Sequence, residues 1–174
     1  MTLRQISVRG LARERMYTTG GMSPSDDRLR IVIDTSVLVA ALTNPSGRAA
    51  QIVDACLEGR VEVVCSEATR REAELVIDSQ WLRRLAPTGR IDEILKYFRT
   101  RSILVQGVPI KGLPLKDEGD RRLVEAAVEG GAAYLVTADA ELLRYRGHGG
   151  VEVVTATQLL QSRPLEGTAA AEVG

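Results

Sequence analysis

Short apolar runs alternate along this chain with longer stretches in which apolar residues recur at helical spacing. The runs fall at 30–33, 61–65, 103–108, 133–136 and 151–154, and the helical stretches at 36–43, 47–58, 66–85, 90–101, 119–130, 138–145 and 155–161. A strand exposed to water on one side alternates apolar with polar residues; these runs are apolar at nearly every position, so both faces must be covered. The alternation therefore predicts an α/β domain of three layers, α/β/α, with a central parallel sheet in strand order 3-2-1-4-5. The domain is expected to occupy 30–162. Residues 1–29 are polar, carry Gly20-Gly21 and Ser23-Pro24-Ser25, and read as a flexible leader, with Met22 as an alternative start. Residues 163–174 read as a disordered tail.

Four acids interrupt the apolar stripes. At helical spacing Asp34 aligns with Val37, Leu38 and Ala41, Glu72 with Ala68, Leu75 and Val76, Asp120 with Leu123, Val124 and Ala127, and Asp139 with Leu142 and Leu143. Asp34 directly follows the first strand pattern and Asp139 lies just beyond the fourth. With strand order 3-2-1-4-5 those strands are neighbours, and the carboxyl ends of parallel strands at such a reversal form a crevice. Taken singly, Asp34, Asp120 and Asp139 also suit the beginnings of helices, where an acid caps free N–H groups. Glu72, six residues after Ser66, caps nothing. Buried like charges repel, so four acids converging on one end of a sheet imply a bound cation.

The chain offers that cation oxygen ligands only. His148 is its single histidine, and Cys56 and Cys65 lie apart in apolar surroundings, which argues against zinc chemistry and a Ser-His-Asp triad, and for free thiols in a reducing compartment. Carboxylates without His or Cys favour Mg²⁺ or Mn²⁺, one or two ions, and a pair of such ions activates water and steadies a leaving oxygen in phosphodiester cleavage. Ser36 and Thr137 place hydroxyls beside Asp34 and Asp139, able to orient a ligand or water or simply to satisfy local backbone.

Overall charge adds little, because 23 basic and 23 acidic groups cancel. The basic groups are nevertheless 20 Arg and three Lys, and the planar guanidinium suits phosphate. Arg121 and Arg122, directly after Asp120, are candidate contacts for a nucleic-acid backbone. Six aromatic residues leave little for base stacking, and Trp81 is expected to serve as a hydrophobic anchor or an interface residue. The longest apolar run, 37–42, is far too short to span a bilayer, and the first residues hold no secretory core, so no membrane association and a cytoplasmic location are expected.

The stretches IVIDTSVLVAAL from Ile31, SEATRREAELVI from Ser66 and DEGDRRLVEAAVEGGAAYLVTADAELL from Asp117 resemble the PIN-domain nucleases, in particular their VapC-like toxin components. The resemblance covers about 30–160. It implies that Asp34, Glu72, Asp120 and Asp139 are metal-binding catalytic acids with Ser36 and Thr137 as accompanying polar positions. It further implies Mg²⁺- or Mn²⁺-dependent cleavage of RNA, restraint by a cognate antitoxin, and a homodimer. Glu141 stands where an aspartate is common, and Asp117-Glu118-Gly119 replaces a proline-containing approach to Asp120, which leaves Asp117 and Glu141 as peripheral carboxylates. The expectation is a metal-dependent endoribonuclease. Its rival is a non-catalytic module whose acidic pocket holds an ion or a partner segment; a phosphatase with an aspartyl nucleophile fits less well, since Asp34-Thr35-Ser36 lacks a second aspartate two positions on.

Overall fold

The computed structural model describes residues 28–165. Six strands form one sheet: β1 (Leu29–Ile33), β2 (Val61–Ser66), β3 (Ile103–Val105), β4 (Tyr134–Val136), β5 (Gly147–His148) and β6 (Val151–Val154), in the order β3-β2-β1-β4-β6-β5. All pairings are parallel except β5 with β6. The five expected strands thus occur in the expected order. The sheet gains one short antiparallel edge where the 147–150 turn folds back, and His148 lies exposed on it.

Period-two alternation divides the strand residues between two cores. Ile31, Ile33, Val63, Cys65, Val136 and Val154 face a layer containing α1 (Thr35–Thr43), α2 (Arg48–Leu57), α3 (Glu67–Ile77), α4 (Gln80–Leu85), α5 (Thr88–Thr100) and α8 (Ala156–Ser162). Val32, Val64, Leu135 and Val153 face the other layer, built on α6 (Glu118–Glu129) and α7 (Ala140–Tyr145). Each fully buried Ile or Leu contributes about 1.5 to 3 kcal/mol of transfer free energy, and Ile31, Leu38, Ile52, Ile77, Leu135 and Leu142 are among those with no measurable exposure. Gly130 lets α6 lie close on the sheet: a β-carbon there would stand 2.2 Å from Val64 Cγ1.

Two expectations about the helices need correction. The 66–85 stretch is two helices, because Ser79 accepts from the Leu82 amide and starts α4 afresh after Asp78 ends α3. The buried stripe of α3 is Thr69, Ala73 and Ile77; Ala68, Leu75 and Val76, the residues aligned with Glu72, face outward, Leu75 with 69% of its surface exposed. Likewise Leu82 anchors α4, whereas Trp81 remains 56% exposed. The 103–108 run also shortens to 103–105, because the backbone then turns away at Gly107, whose φ of 76° is a left-handed value that suits glycine.

Both thiols are free and buried, and burial pushes Cys56 up to about 12 and raises Cys65. No helix among the described residues is long and apolar enough to cross a membrane. The proposed leader up to residue 27 and the tail beyond 165 lie outside the described residues.

Candidate active site

The chain leaves β1 for β2 and β3 on one side, then returns to place β4 on the other side of β1. The carboxyl ends of β1 and β4 therefore form the reversal point, joined by the Asp34 N–H donating to the Val136 carbonyl at 2.9 Å. Asp34 is the N-cap of α1, Asp139 that of α7 and Asp117 that of α6. Asp120 lies in the first turn of α6, and Glu72 in the second turn of α3. Three helix N-termini thus point at one region, and their dipoles favour negative charge there.

Hydroxyls tie the first two acids together. Asp34 Oδ2 accepts from Ser36 Oγ at 2.7 Å and from Thr137 Oγ1 at 2.6 Å, and Thr137 Oγ1 in turn accepts from the Asp139 N–H at 2.9 Å. Ser36 Oγ accepts from the Ala138 N–H at 3.3 Å. Thr137, only 1% exposed, thereby spans from one acid to the backbone of the other. Asp139 keeps its own Oδ1 on the Glu141 and Leu142 amides. Charge-assisted bonds of this kind fix a carboxylate in direction as well as place.

Asp34, Glu72, Asp117 and Asp120 line one cleft together with Thr35, Thr69, Gly119 and Leu123. A β-carbon at Gly119 would lie 2.9 Å from Asp117 Oδ1 and 3.8 Å from both Glu72 carboxylate oxygens, so the glycine lets α3 and α6 present their acids across a narrow gap. Burial, followed by the charges of Asp117, Asp139, Asp34 and Glu141, pushes the Asp120 carboxyl up to about 6. Asp120 thus lies within electrostatic reach of four other acids. Glu141 is partly answered by Arg144 at 3.6 Å, but Asp34, Glu72, Asp117, Asp120 and Asp139 have no ion-pair partner among the described residues.

All four acids expected at the site therefore meet at one end of the sheet, with Ser36 and Thr137 between two of them. Asp117 joins Asp34, Glu72 and Asp120 in the cleft, whereas Glu141 lines a separate hollow and reaches the site only through its charge on Asp120. Glu72 arrives from an exposed position on α3 and not from a core stripe. Arg121 and Arg122 lie on the neighbouring face of α6, outside this cleft. The signal for Asp117 was local: an aspartate three residues before another acid matches an N-cap, and Asp117 Oδ1 accepts from the Asp120 N–H at 3.1 Å.

An ion is the simplest balance for this charge, and the donor set suits a hard one. Among the described residues no trio of His, Cys, Asp or Glu is drawn tightly enough to hold a metal by protein atoms alone. Mg²⁺ characteristically keeps several waters and takes only one or two carboxylates, so a spread of acids around an open cleft fits it better than a closed cage would.

Comparison with known proteins agrees with this geometry. The chain is 30% identical over 121 residues to an uncharacterized protein of Methanocaldococcus jannaschii, spanning 68% of this chain and 76% of that one. A family model described as PIN domain matches residues 30–141, which runs from β1 to the first turn of α7 and takes in every acid of the cleft. PIN domains are generally nucleases, and those nucleases generally use divalent metal ions. The carboxylates gathered where β1 and β4 diverge all lie within the matched residues, and this chain belongs to the PIN domain family.

Proposed function

We propose that the protein is an endoribonuclease that depends on Mg²⁺ or Mn²⁺ and acts as the toxin of a toxin-antitoxin pair. The observation that carries the nuclease reading is the crowding of Asp34, Glu72, Asp117 and Asp120 at one cleft, with Asp139 acting on Asp120 from beside it, and with no basic side chain among the described residues to answer them. Such a site is costly without a cation and well suited to one. A bound divalent ion supplies positive charge for the phosphoryl oxygens and lowers the pKa of water held near them.

The residues of the chain divide the remaining tasks. Asp34 and Asp139, fixed by Thr137 and Ser36, provide oriented oxygens at the strand ends. Asp120 completes the ligand set from α6. Glu72, exposed on α3 across the gap at Gly119, is free to hold an ion or to orient and accept a proton from the attacking water. Substrate phosphate enters from the open side, toward three helix N-termini whose N–H dipoles also favour an anion.

RNA as the substrate, the antitoxin and the homodimer extend the likeness of the 31–42, 66–77 and 117–143 stretches to VapC-like toxins. The outward apolar residues Leu75, Val76, Trp81 and Leu85 on α3 and α4 support a protein partner for that face.

The test is cleavage of an RNA panel by the purified full-length chain with Mg²⁺, with Mn²⁺ and with excess EDTA, alongside Asp120→Asn. Cleavage that needs the metal and disappears in the variant is expected. Cutting that continues in EDTA would overturn the metal-dependent reading. Growth arrest on expression, relieved by Asp34→Ala, is the expected sign of a toxin; partner capture that survives Asp34→Ala without any RNA cleavage would favour the binding module.

A further inference from the structure

Helix α6 has a second polar face. While Asp117 and Asp120 turn to the acidic cleft, Glu118, Arg121, Arg122 and Glu125 follow one another at helical spacing and line a separate groove. Its other walls are Ser66 and Ala68 at the start of α3 and the 106–110 segment after β3. Groove and cleft adjoin: Ala68 stands one turn before Glu72 on α3, and Arg121 directly follows Asp120.

The far wall is held in shape by α6 itself. The Glu129 carboxylate accepts three consecutive backbone N–H groups, from Gln106 at 3.0 Å, Gly107 at 2.7 Å and Val108 at 2.9 Å, and Glu125 accepts from the Ile110 N–H at 3.0 Å. At Gly107 the chain passes so close to β2 that a β-carbon would lie 3.1 Å from Ser66 Cβ. The groove is therefore formed before any ligand arrives.

Within it the charges are unevenly used. Arg122 pairs with Glu118, while Glu125 and Glu129 are occupied by backbone N–H groups. Arg121 is half-buried, and among the described residues its guanidinium has no side-chain hydrogen bond or ion pair. A partly desolvated guanidinium beside acids already engaged elsewhere is set for an anion from outside, and its planar fork matches a phosphodiester. Pro109 and Ile110 add an apolar wall for a sugar or base, and Gln106 adds a carboxamide at the rim.

We infer that this groove binds the RNA strand on one side of the bond to be cut, with Arg121 holding the flanking phosphate nearest the cleft. The inference rests on the ribonuclease reading of the cleft, but its binding component is measurable without cleavage. The groove then sets the direction in which single-stranded RNA crosses the site, and makes nucleotides on that side contribute to affinity.

The experiment uses the full-length chain and single-stranded RNA oligonucleotides that share one cut site and are lengthened one nucleotide at a time on either side. KM and kcat are measured for the unaltered protein and for Arg121→Ala and Arg121→Lys. Fluorescence anisotropy then follows the same oligonucleotides bound to Asp120→Asn, with and without Arg121→Ala, across a range of KCl. Lengthening on one side only should lower KM, and Arg121→Ala should erase about tenfold of that gain. Arg121→Lys should restore part of it, since it keeps the charge and loses the fork. The slope of log affinity against log salt should fall by about 0.7 when the contact is lost.

Equal gains on both sides, or a one-sided gain and salt slope that Arg121→Ala does not move, would overturn the groove while leaving ribonuclease activity intact. One-sided binding that depends on Arg121, with no RNA cut in any metal, would uphold the groove and overturn the nuclease reading. Thermal melts of each variant separate loss of binding from loss of fold.

Discussion

Replacing Asp120 by Asn should stabilise the metal-free protein while destroying its activity. Asn keeps the shape of the side chain and removes a negative charge from among Asp117, Asp139, Asp34 and Glu141, whose combined influence, after burial, pushes the Asp120 carboxyl from 3.8 up to about 6. A shift of about two units corresponds to about 3 kcal/mol for a fully enclosed group. Asp120 lines an open cleft, and solvent screening reduces this to about 1 kcal/mol. The folded pKa is the higher one, so the folded protein holds an extra proton between the two values. The associated stability is complete below about pH 4 and is lost as pH rises past about 6.

Urea melts in EDTA at about pH 7.5 should therefore show Asp120→Asn more stable by about 1 kcal/mol, or roughly 2 to 6 °C in Tm, and the advantage should vanish near pH 4. Saturating Mg²⁺ should reverse the ranking, because an ion at about a hundred times its Kd adds about 2.7 kcal/mol to the protein that binds it. RNA cleavage by the variant should be lost under every condition. If the variant is no more stable than the parent in EDTA at neutral pH, or keeps the same advantage at both pH values, the repulsion inferred at the cleft is absent.

Three further outcomes test the supports of the site. Thr137→Val keeps the volume but removes the hydroxyl between Asp34 and the Asp139 N–H; urea melts should show a loss of about 1 to 3 kcal/mol, and calorimetric titration with Mn²⁺ an affinity lower by about 10 to 100-fold. Gly130→Ala drives a β-carbon to within 2.2 Å of Val64 Cγ1, and the shift of α6 off the sheet should cost about 1 to 3 kcal/mol, read as a lower Tm. Glu129→Gln should speed hydrogen exchange at the Gln106, Gly107 and Val108 amides. Those amides hold the Glu129 carboxyl below its ordinary value, so in the parent the clamp persists at neutral pH and through mild acid, loosening only as pH falls below the usual carboxylate range.

The parts of the fold written in local pattern were legible, and those that depend on packing across the chain were not. Runs such as Ile31-Val32-Ile33, apolar on both faces, announce a parallel strand under two helical layers, and strand order then brings Asp34 to Asp139 across a separation of more than a hundred residues. The orientation of α3 was obscured because it carries two apolar stripes. Ala68, Leu75 and Val76 compete with Thr69, Ala73 and Ile77, and only the contacts with β2, α1 and α5 decide which is buried. The 106–110 segment after β3 becomes part of a groove wall through Glu125 and Glu129, residues 15 to 23 positions away. No local periodicity carries that information.

Capping by the acids and their convergence at one end of the sheet are one arrangement, so the capping role does not compete with the proposed functional one. Asp34, Asp117 and Asp139 each satisfy free N–H groups at the start of a helix, and in doing so they place those helices' positive ends behind the cleft. Helix N-terminal N–H groups favour negative charge beside them and so offset part of the repulsion among the acids. With them the repulsion is reduced but not removed, as the raised Asp120 carboxyl records. The residual charge is the physical basis of the proposed preference for a divalent cation, and the backbone N–H groups on Asp139 and Asp117 engage Oδ1 of each, which leaves Oδ2 without a hydrogen bond among the described residues.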